Sequence, residues 1–292
     1  MGPDHRMLRS RVGTSGTASI SSRLRRGYYD YRRRALATFV PERVWPTHVT
    51  LSGVQVPVRG QSFSFGVKRL LVRKEYEAPE REMIRDVIEP GMTVFEMGSS
   101  IGVVTAVIAD AVGASGRVIA VEASQQLVQT SRQWLPKGNV EVIWGFGFPV
   151  SQVPRGLAVH SFDGSSGSLG GTVAMTIDTD PGGEASADEA VWDVSRLSRQ
   201  FSAQPDALVV DIEGAEILLT AVDPAFPPSL KHVVIELHPA KYEDGIRDQE
   251  RVINALIAAG YVQRDERSGT YWFHRSESAG QPNSAGGTPG AT

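Results

Sequence analysis

The chain has 292 residues, of which 41% are apolar, so it is long enough to bury the core of one large globular domain. Its 30 Lys and Arg against 33 Asp and Glu give a formal charge of -3, which excludes a whole-molecule field that attracts nucleic acid or anionic lipid. The absence of cysteine excludes disulfides, thiolate metal sites and a cysteine nucleophile. No apolar run approaches the roughly 18 residues of a membrane span, so we expect a soluble, cytoplasmic protein.

The N-terminal part predicts accessory structure. Residues 1–20 mix Gly, Ser, Thr and Arg without apolar periodicity and predict a disordered basic arm, although organellar transit peptides have a similar composition. Residues 21–69 predict a helix at 21–39, rich in Arg and Tyr, followed by a short hairpin or edge strands at 50–58. The helix could contact nucleic acid or a membrane surface, but we favour a solvated helix whose tyrosines pack on the main domain.

From residue 70 to residue 275, apolar strand-like runs alternate with helical segments, which is typical of a parallel sheet with crossover helices. The predicted strands are 93–97, 118–122, 140–144, 207–212 and 232–238, and the predicted helices are 80–88, 101–112, 125–134, 215–222 and 245–259. A terminal hairpin is predicted from 261–265 and 270–274. The pattern therefore predicts an α/β domain. Residues 145–191 are loop-rich and predict a site cover or a surface insertion, and residues 276–292 predict a disordered tail.

The first predicted strand-to-helix junction, VFEMGSSIG, is the strongest chemical signal. Gly98 and Gly102 permit a tight turn and the close approach of a ligand, while the following helix offers free N–H groups to an anion. Glu96 precedes the turn, where its carboxylate would repel a pyrophosphate but attract the ammonium group of a methionine moiety. Because Ser100 and Val103 also break the G-x-G-x-x-G fingerprint, the turn favours S-adenosylmethionine over a dinucleotide.

Carboxylates follow the ends of later predicted strands, at the edge where open α/β sheets bind ligands. Glu122 could accept hydrogen bonds from both hydroxyls of a ribose; an exposed glutamate in a turn is the alternative. Asp211 and Glu213 follow the fourth predicted strand, and we expect them to face the site. Glu216 is instead expected to stabilise the N-terminus of the next helix through its charge.

His238 is the candidate general base. The fifth predicted strand ends in Glu236-Leu237-His238, so Glu236 and His238 point to one side of the strand. An imidazole titrates near neutral pH, and this one is expected beside Asp211, although a structural histidine is the alternative. A divalent cation held by Asp211 and Glu213 could activate the acceptor instead. We favour base catalysis and predict no metal.

Several motifs occur together, namely Tyr76-Glu77 with Glu80, Pro90-Gly91, Glu96-x-Gly98-x-Ser100-Ile101-Gly102, Val210-Asp211-Ile212-Glu213-Gly214-Ala215-Glu216 and Ile235-Glu236-Leu237-His238. Over roughly residues 70–275, this combination resembles the FkbM family of methyltransferases. Ser165–Leu169 also looks like the serine-rich segment of that family. The first family motif usually reads Asp-x-Gly-Ala-Asn-x-Gly. Glu96 replaces the aspartate and keeps its charge on a longer side chain, while Ser100 replaces the asparagine and keeps hydrogen bonding on a shorter one.

The resemblance implies a Rossmann-like class I methyltransferase fold, an α/β architecture with a seven-stranded, mostly parallel sheet, a C-terminal β-hairpin and helices on both faces. It implies S-adenosylmethionine as the cofactor and a small-molecule or glycan acceptor with a free hydroxyl, such as a carbohydrate, a glycolipid or a secondary metabolite. Together with the residue analysis, it gives cofactor-binding candidates at Glu77, Glu96, Gly98, Ser100, Gly102, Glu122 and Asp211, and catalytic candidates at His238, Asp211 and Glu213.

Two other functions remain open. An NAD-dependent oxidoreductase would need the third glycine of the dinucleotide fingerprint, which is missing, and would have to tolerate Glu96 beside a pyrophosphate. A non-catalytic binding protein that kept the fold would explain the substituted first motif and the basic arm.

Overall fold

The computed structural model describes residues 41, 43, 45–153, 191–221 and 224–275, together with the backbone of 158–163 and 173–178. The chain divides into two compact units, 1–45 and 46–292. The predicted arm at 1–20, the helix at 21–39, the serine-rich segment Ser165–Leu169 and the tail at 276–292 lie outside the described residues. Within the described part of the chain, no helix is long and apolar enough to cross a bilayer.

The helices of the second unit, as far as it is described, are α1 (Phe65–Arg73), α2 (Ala78–Val87), α3 (Val103–Val112), α4 (Gln125–Trp134), α5 (Val194–Phe201) and α6 (Ile246–Ala258), with 3-10 helices at Ala215–Thr220 and Pro239–Lys241. The strands are β1 (His48–Leu51), β2 (Val54–Pro57), β3 (Thr93–Met97), β4 (Arg117–Glu122), β5 (Val140–Trp144), β6 (Phe146–Phe148), β7 (Ala158–Asp163), β8 (Val173–Asp178), β9 (Val191–Asp193), β10 (Ala207–Val210), β11 (His232–Glu236), β12 (Val262–Arg267) and β13 (Thr270–His274).

A seven-stranded sheet in the order β12-β13-β11-β10-β3-β4-β5 forms the centre of this unit. The strands β5, β4, β3, β10 and β11 are parallel, while β13 is antiparallel to both of its neighbours. The chain starts centrally at β3, runs outward through β4 to β5, and returns to β10 on the other side of β3. The strand order therefore reverses between β3 and β10, and open α/β sheets bind ligands at such a point.

Alternating side chains of the central strands feed two apolar cores. Phe95 and Leu208 pack on one face with Leu256 of α6, while Val94 and Val209 belong to the core on the other face, which α2 and α3 cover. Strands buried on both faces need continuous apolar runs, and β10 reads ALVV. The predicted α/β fold, with a mostly parallel seven-stranded sheet, a C-terminal hairpin and helices on both faces, is confirmed.

The fourth and fifth predicted strands end earlier than predicted, at Val210 and Glu236. The segment predicted as a helix at 215–222 is a 3-10 helix at Ala215–Thr220. The chain bends sharply here, because Glu213 and Gly214 have φ angles of 55° and 113°. The bend frees the residues after Val210 from the sheet and turns them into the edge where the site forms.

The loop-rich stretch at 145–191 also contains regular structure that was not predicted. Strand β6 pairs with β9 in parallel, and β7 and β8 form an antiparallel hairpin. Helix α5 follows directly, and its N-cap Asp193 accepts a hydrogen bond from the Arg196 N–H at 2.7 Å. The hairpin makes this stretch an insertion between the third and fourth strands of the main sheet.

Candidate functional site

The glycine turn after β3 joins the tips of two neighbouring strands. The N–H groups of Gly98 and Ser99 donate to the Val121 carbonyl at 2.9 and 3.2 Å, and the N–H of Asp211 donates to the Met97 carbonyl at 2.9 Å. A Cβ atom on Gly98 would lie 1.7 Å from the carbonyl oxygen of Asp211. Only glycine fits this contact, and it also accommodates the φ of 90°. Gly98 therefore brings β3 and β10 together, and the space beside its Cα is filled by the backbone of Asp211 and not, as the sequence had suggested, by a ligand.

Glu96 is a buried carboxyl with one uncommitted oxygen. Its side chain is 1% exposed, and Oε2 accepts a hydrogen bond from the Thr105 hydroxyl at 2.6 Å. Oε1 is buried without a hydrogen-bond partner within the described part of the chain. Burial raises the pKa of Glu96 to about 8, against the lowering effect of the Thr105 bond. An oxygen without a donor in such a place fits an ammonium group, as predicted for a methionine moiety.

Glu122 stabilises the glycine turn, which was not predicted. Its Oε2 accepts the N–H of Ser100 at 2.8 Å, and Oε1 accepts the N–H of Ser124 at 2.7 Å. Burial raises the pKa of the Glu122 carboxyl, although the bonds from Ser124 and Ser100 lower it. Each carboxylate oxygen can accept a second hydrogen bond, so the predicted interaction with a ribose diol is compatible with these contacts.

Non-glycine residues at three points of the site adopt left-handed backbone angles. The φ angles of Glu77, Ser100 and Glu213 are 45°, 48° and 55°. Such conformations cost on the order of 1 kcal/mol each and cluster where function requires them. The hydroxyl of Ser100 lies 3.0 Å from that of Tyr76, and Asp211 helps to raise the pKa of Glu77, second to burial. The segment before α2 therefore belongs to the same site as the glycine turn.

The three predicted catalytic residues lie together at the tips of β10 and β11. The Nε2 atom of His238 is 3.5 Å from Oδ1 of Asp211 and 3.8 Å from Oε2 of Glu213. Glu213 also pairs with Lys241 at 2.7 Å, and these two side chains are 41% and 37% exposed, so the pair stands at the rim of the site. The arrangement places the imidazole between Asp211, whose side chain is 18% exposed, and the more exposed Glu213.

His238 and Asp211 share an unusual charge balance. Burial alone would lower the pKa of His238, but the hydrogen bond and charge of Glu216, together with Asp211 and Glu213, raise it to about 9. Burial and the neighbouring Glu236 raise the pKa of Asp211 to about 8, against the lowering effect of His238. Because the two groups are in contact, they titrate as a pair that holds a proton at neutral pH.

Glu216 contributes more to the site than predicted. It does accept N–H groups at the start of its 3-10 helix, from Ile212 and Gly214 at 3.2 Å each. The same Oε1 atom lies 3.1 Å from Nδ1 of His238, and Oε2 accepts the hydroxyl of Tyr242 at 2.9 Å. The Glu216 side chain is fully buried, so this carboxylate fixes the orientation of the imidazole from behind.

Glu80 is a buried carboxyl that was not among the predicted site residues. It is 3% exposed, and one of its oxygens lies within 4.8 Å of oxygens of Asp211 and Glu236. The sequence does contain a signal, because Glu80 shares the buried face of α2 with Met83, Ile84 and Val87 at helical spacing. A charged residue in an apolar stripe marks a position with a specific partner.

A comparison with protein-family models matched part of the chain. A family model described as protein-L-isoaspartate(D-aspartate) O-methyltransferase matches residues 64–168. The match contains the glycine turn and Glu122, but it ends before Asp211 and His238. No curated protein matches the chain.

Solved structures with some similarity are also methyltransferases by name. A putative rRNA methylase from Clostridium thermocellum is 12% identical, with 68% of this chain and 94% of that chain covered and a TM-score of 0.38. A fibrillarin from Aeropyrum pernix, solved with S-adenosylmethionine bound, is 11% identical, with 66% and 72% covered and a TM-score of 0.38. A precorrin-6y C5,15-methyltransferase from Geobacter metallireducens is 14% identical, with 67% and 87% covered and a TM-score of 0.38.

The names of these proteins refer to different acceptors, and none identifies the acceptor of this chain. The narrower resemblance to the FkbM family stays a prediction. The order and directions of the seven strands, the glycine turn after β3 and the matched family model give the fold of the class I methyltransferases, for which S-adenosylmethionine is the cofactor.

Proposed function

We propose that this protein is an S-adenosylmethionine-dependent O-methyltransferase of the FkbM type, acting on a hydroxyl of a carbohydrate, a glycolipid or a secondary metabolite. The observation that carries the proposal is the 3.5 Å approach of His238 Nε2 to Asp211, at the strand tips beside the glycine turn. The raised pKa values of this pair suit a base that must accept a proton from a weakly acidic group.

The residues around the glycine turn fit the cofactor. The unpartnered Oε1 of Glu96 would receive the ammonium group, and the remaining lone pairs of Glu122 would receive the ribose hydroxyls. Glu96 also disfavours a pyrophosphate, which argues against an NAD-dependent oxidoreductase. When bound, S-adenosylmethionine supplies a methyl group that its sulfonium has already activated.

The protein therefore has to orient the acceptor and remove its proton. Transfer to a hydroxyl forms one C–O bond, breaks one S–C bond, and requires the hydroxyl proton to move to a base, here the His238–Asp211 pair. Such proton transfer accelerates reactions about 10² to 10⁴-fold, while positioning can contribute roughly 7 to 11 kcal/mol in favourable cases. A neutral amine or thioether acceptor would be nucleophilic without this base, so the pair favours a hydroxyl.

Calorimetric titration with S-adenosylhomocysteine and with NADH tests the cofactor. We expect binding of the first and none of the second. A panel of glycans, glycolipids and hydroxylated metabolites with isotopically labelled cofactor then tests the transfer, with His238→Ala as the inactive variant and exposed His48→Ala as the matched control. Cofactor binding without transfer to any member of the panel would support the non-catalytic alternative, and normal turnover in His238→Ala would remove His238 from the mechanism.

A further inference from the structure

Carboxylates from three separate elements converge beside the proposed transfer site. Glu80 lies in the first turn of α2, Asp211 follows β10, and Glu236 is the last residue of β11. Each offers one oxygen, and these oxygens all lie within 4.8 Å of one another. Elements far apart in the chain thus direct three like charges to one point, which is unfavourable unless something neutralises them.

The buried carboxylate of Glu80 has no partner that neutralises its charge in the described part of the chain. Glu80 is 3% exposed, and its carboxylate has no hydrogen bond or ion pair with any residue of the described chain. Although it stands at the N-terminal end of a helix, it accepts none of the free N–H groups there. Oδ1 of Asp211 likewise has no hydrogen-bond partner in the described part of the chain, although Nε2 of His238 lies 3.5 Å from it. Buried carboxylates are costly when unpaired, so such a group needs either a proton or a cation.

We propose that Glu80, Asp211 and Glu236 form a binding site for a divalent cation that prefers oxygen ligands, such as Mg²⁺, Mn²⁺ or Ca²⁺. Carboxylate oxygens are the ligands of these hard cations, whereas zinc sites in proteins are built mainly from cysteine and histidine. The other group of possible ligands, Asp211, Glu216 and His238, is less available. Oε1 of Glu216 is already used by Ile212, Gly214 and His238.

The cation site suggests a class of acceptor, and this step alone rests on the proposed function. A cation held by three carboxylates keeps coordination positions free for oxygens of a ligand. Two neighbouring oxygens of an acceptor would occupy them well, and coordination would lower the pKa of the hydroxyl that loses its proton to the His238–Asp211 pair. We therefore expect a vicinal diol, a catechol or a hydroxy acid. This proposal differs from the metal-free mechanism favoured from the sequence, which stays a prediction.

Manganese binding tests the site without any need for activity. The full chain is stripped with EDTA and titrated with Mn²⁺, while the free ion is followed by electron paramagnetic resonance. We expect saturable binding of one ion per chain and competition by Mg²⁺. Glu80→Gln should weaken binding at least 10-fold, whereas Glu82→Gln, an exposed position on the same helix, should leave it unchanged.

The outcomes separate this site from the proposed function. A chain that binds S-adenosylhomocysteine but no Mn²⁺ overturns the cation site alone, and a chain that binds Mn²⁺ but not S-adenosylhomocysteine overturns the proposed function alone. Equal effects of Glu80→Gln and Glu82→Gln would also place the ion elsewhere. If Glu80→Gln does not fold by circular dichroism, Glu236→Gln provides the same test from the other side of the cluster.

Discussion

Oε1 of Glu216 lies 3.1 Å from Nδ1 of His238 and turns the opposite nitrogen of the imidazole toward Asp211. The carboxylate behind the imidazole is fully buried and is held by the N–H groups of Ile212 and Gly214. A buried anion of this kind fixes the tautomer and the direction of an imidazole and stabilises its protonated form. We therefore regard Glu216 as a positioning residue that acts through His238.

Glu216→Gln should move the pKa of His238 downward. The substitution keeps the size of the side chain but removes the charge that holds the imidazolium, so the pKa should fall from about 9 toward the ordinary 6.5. Turnover should fall by about 10² to 10⁴-fold, since the base loses both strength and orientation. NMR titration of the His238 ring in the variant and the parent measures the shift. The control is Glu213→Gln at the exposed rim, which should change the pKa less; equal shifts would contradict the role of Glu216.

The interaction between Glu216 and His238 should also affect the stability of the protein. A histidine whose pKa is raised by folding stabilises the folded state fully below its unfolded pKa, near 6.5, and loses that stabilisation as the pH rises through about 9. The parent should therefore lose its advantage over Glu216→Gln between these two pH values. Urea unfolding of both proteins at pH 6 and pH 9.5 measures the difference. An unchanged difference would show that the ion pair does not form.

The rate of transfer should increase with pH in the alkaline range. The His238–Asp211 pair accepts the acceptor proton only after it has lost its own, and the raised pKa values of the two groups are about 9 and about 8. We expect kcat/KM, measured without added divalent cation, to rise from pH 7 and to level off only above pH 9. In Asp211→Asn the remaining activity should be far lower. A pH-independent rate between 7 and 9 would mean that another group removes the proton.

The central sheet was predictable because parallel strands that are buried on both faces contain continuous apolar runs. Predicted strands 93–97 and 140–144 match β3 and β5 in full, and the predicted helix 125–134 matches α4, whose N-cap Ser124 accepts the Leu127 N–H at 3.4 Å. Strand tips followed from the same pattern, so Asp211 and His238 could be placed side by side.

What the sequence did not predict depends on long-range contacts. Glu216 looked like a charge at a helix N-terminus, because its neighbours in sequence do not reveal that Tyr242 and His238 bind its other side. Glu80 precedes β3 and reaches the site only through the packing of α2 on the sheet. Helix α5 is short, and its N-cap Asp193 can be recognised only when the preceding strand β9 is known. Local patterns report periodicity, whereas these positions depend on how elements meet.

Gly98→Ala should disrupt the junction of β3 and β10. The added Cβ would lie 1.7 Å from the Asp211 carbonyl oxygen, so the backbone must shift, which we expect to cost roughly 3 kcal/mol or more of unfolding free energy. Gly60→Ala is the matched control, since Gly60 has a similar φ of 82° but open space around its Cβ position, and it should cost about 1 kcal/mol. Chemical denaturation measures both. Similar losses would mean that backbone strain alone explains the glycine.

We expect Glu96 to lower the stability of the unliganded protein and to contribute to cofactor binding. Its carboxyl has a pKa of about 8 in the folded chain against 4.5 as its ordinary value, mainly because burial disfavours the charge. Folding therefore retains a proton between these pH values, so the unliganded protein should lose stability as the pH rises from about 4.5 to 8. This sign is opposite to that of a salt-bridged carboxylate. Glu77, Glu80 and Asp211, whose pKa values are also raised, act in the same direction.

Glu96→Gln removes the contribution of Glu96 to this dependence of stability on pH. At pH 8 the unliganded variant should be more stable than the parent by on the order of 1 kcal/mol, because no charge has to be buried. Its affinity for S-adenosylhomocysteine should nevertheless fall about 10-fold or more, since a hydrogen bond to a charged group contributes roughly 1.5 to 3 kcal/mol. Thermal unfolding between pH 5 and 8 and calorimetric titration measure the two effects, with exposed Glu89→Gln as the control. If stability and affinity fall together, Glu96 supports the fold and does not bind the ammonium group. If stability rises while affinity falls, the charge of Glu96 serves ligand binding at a cost in stability.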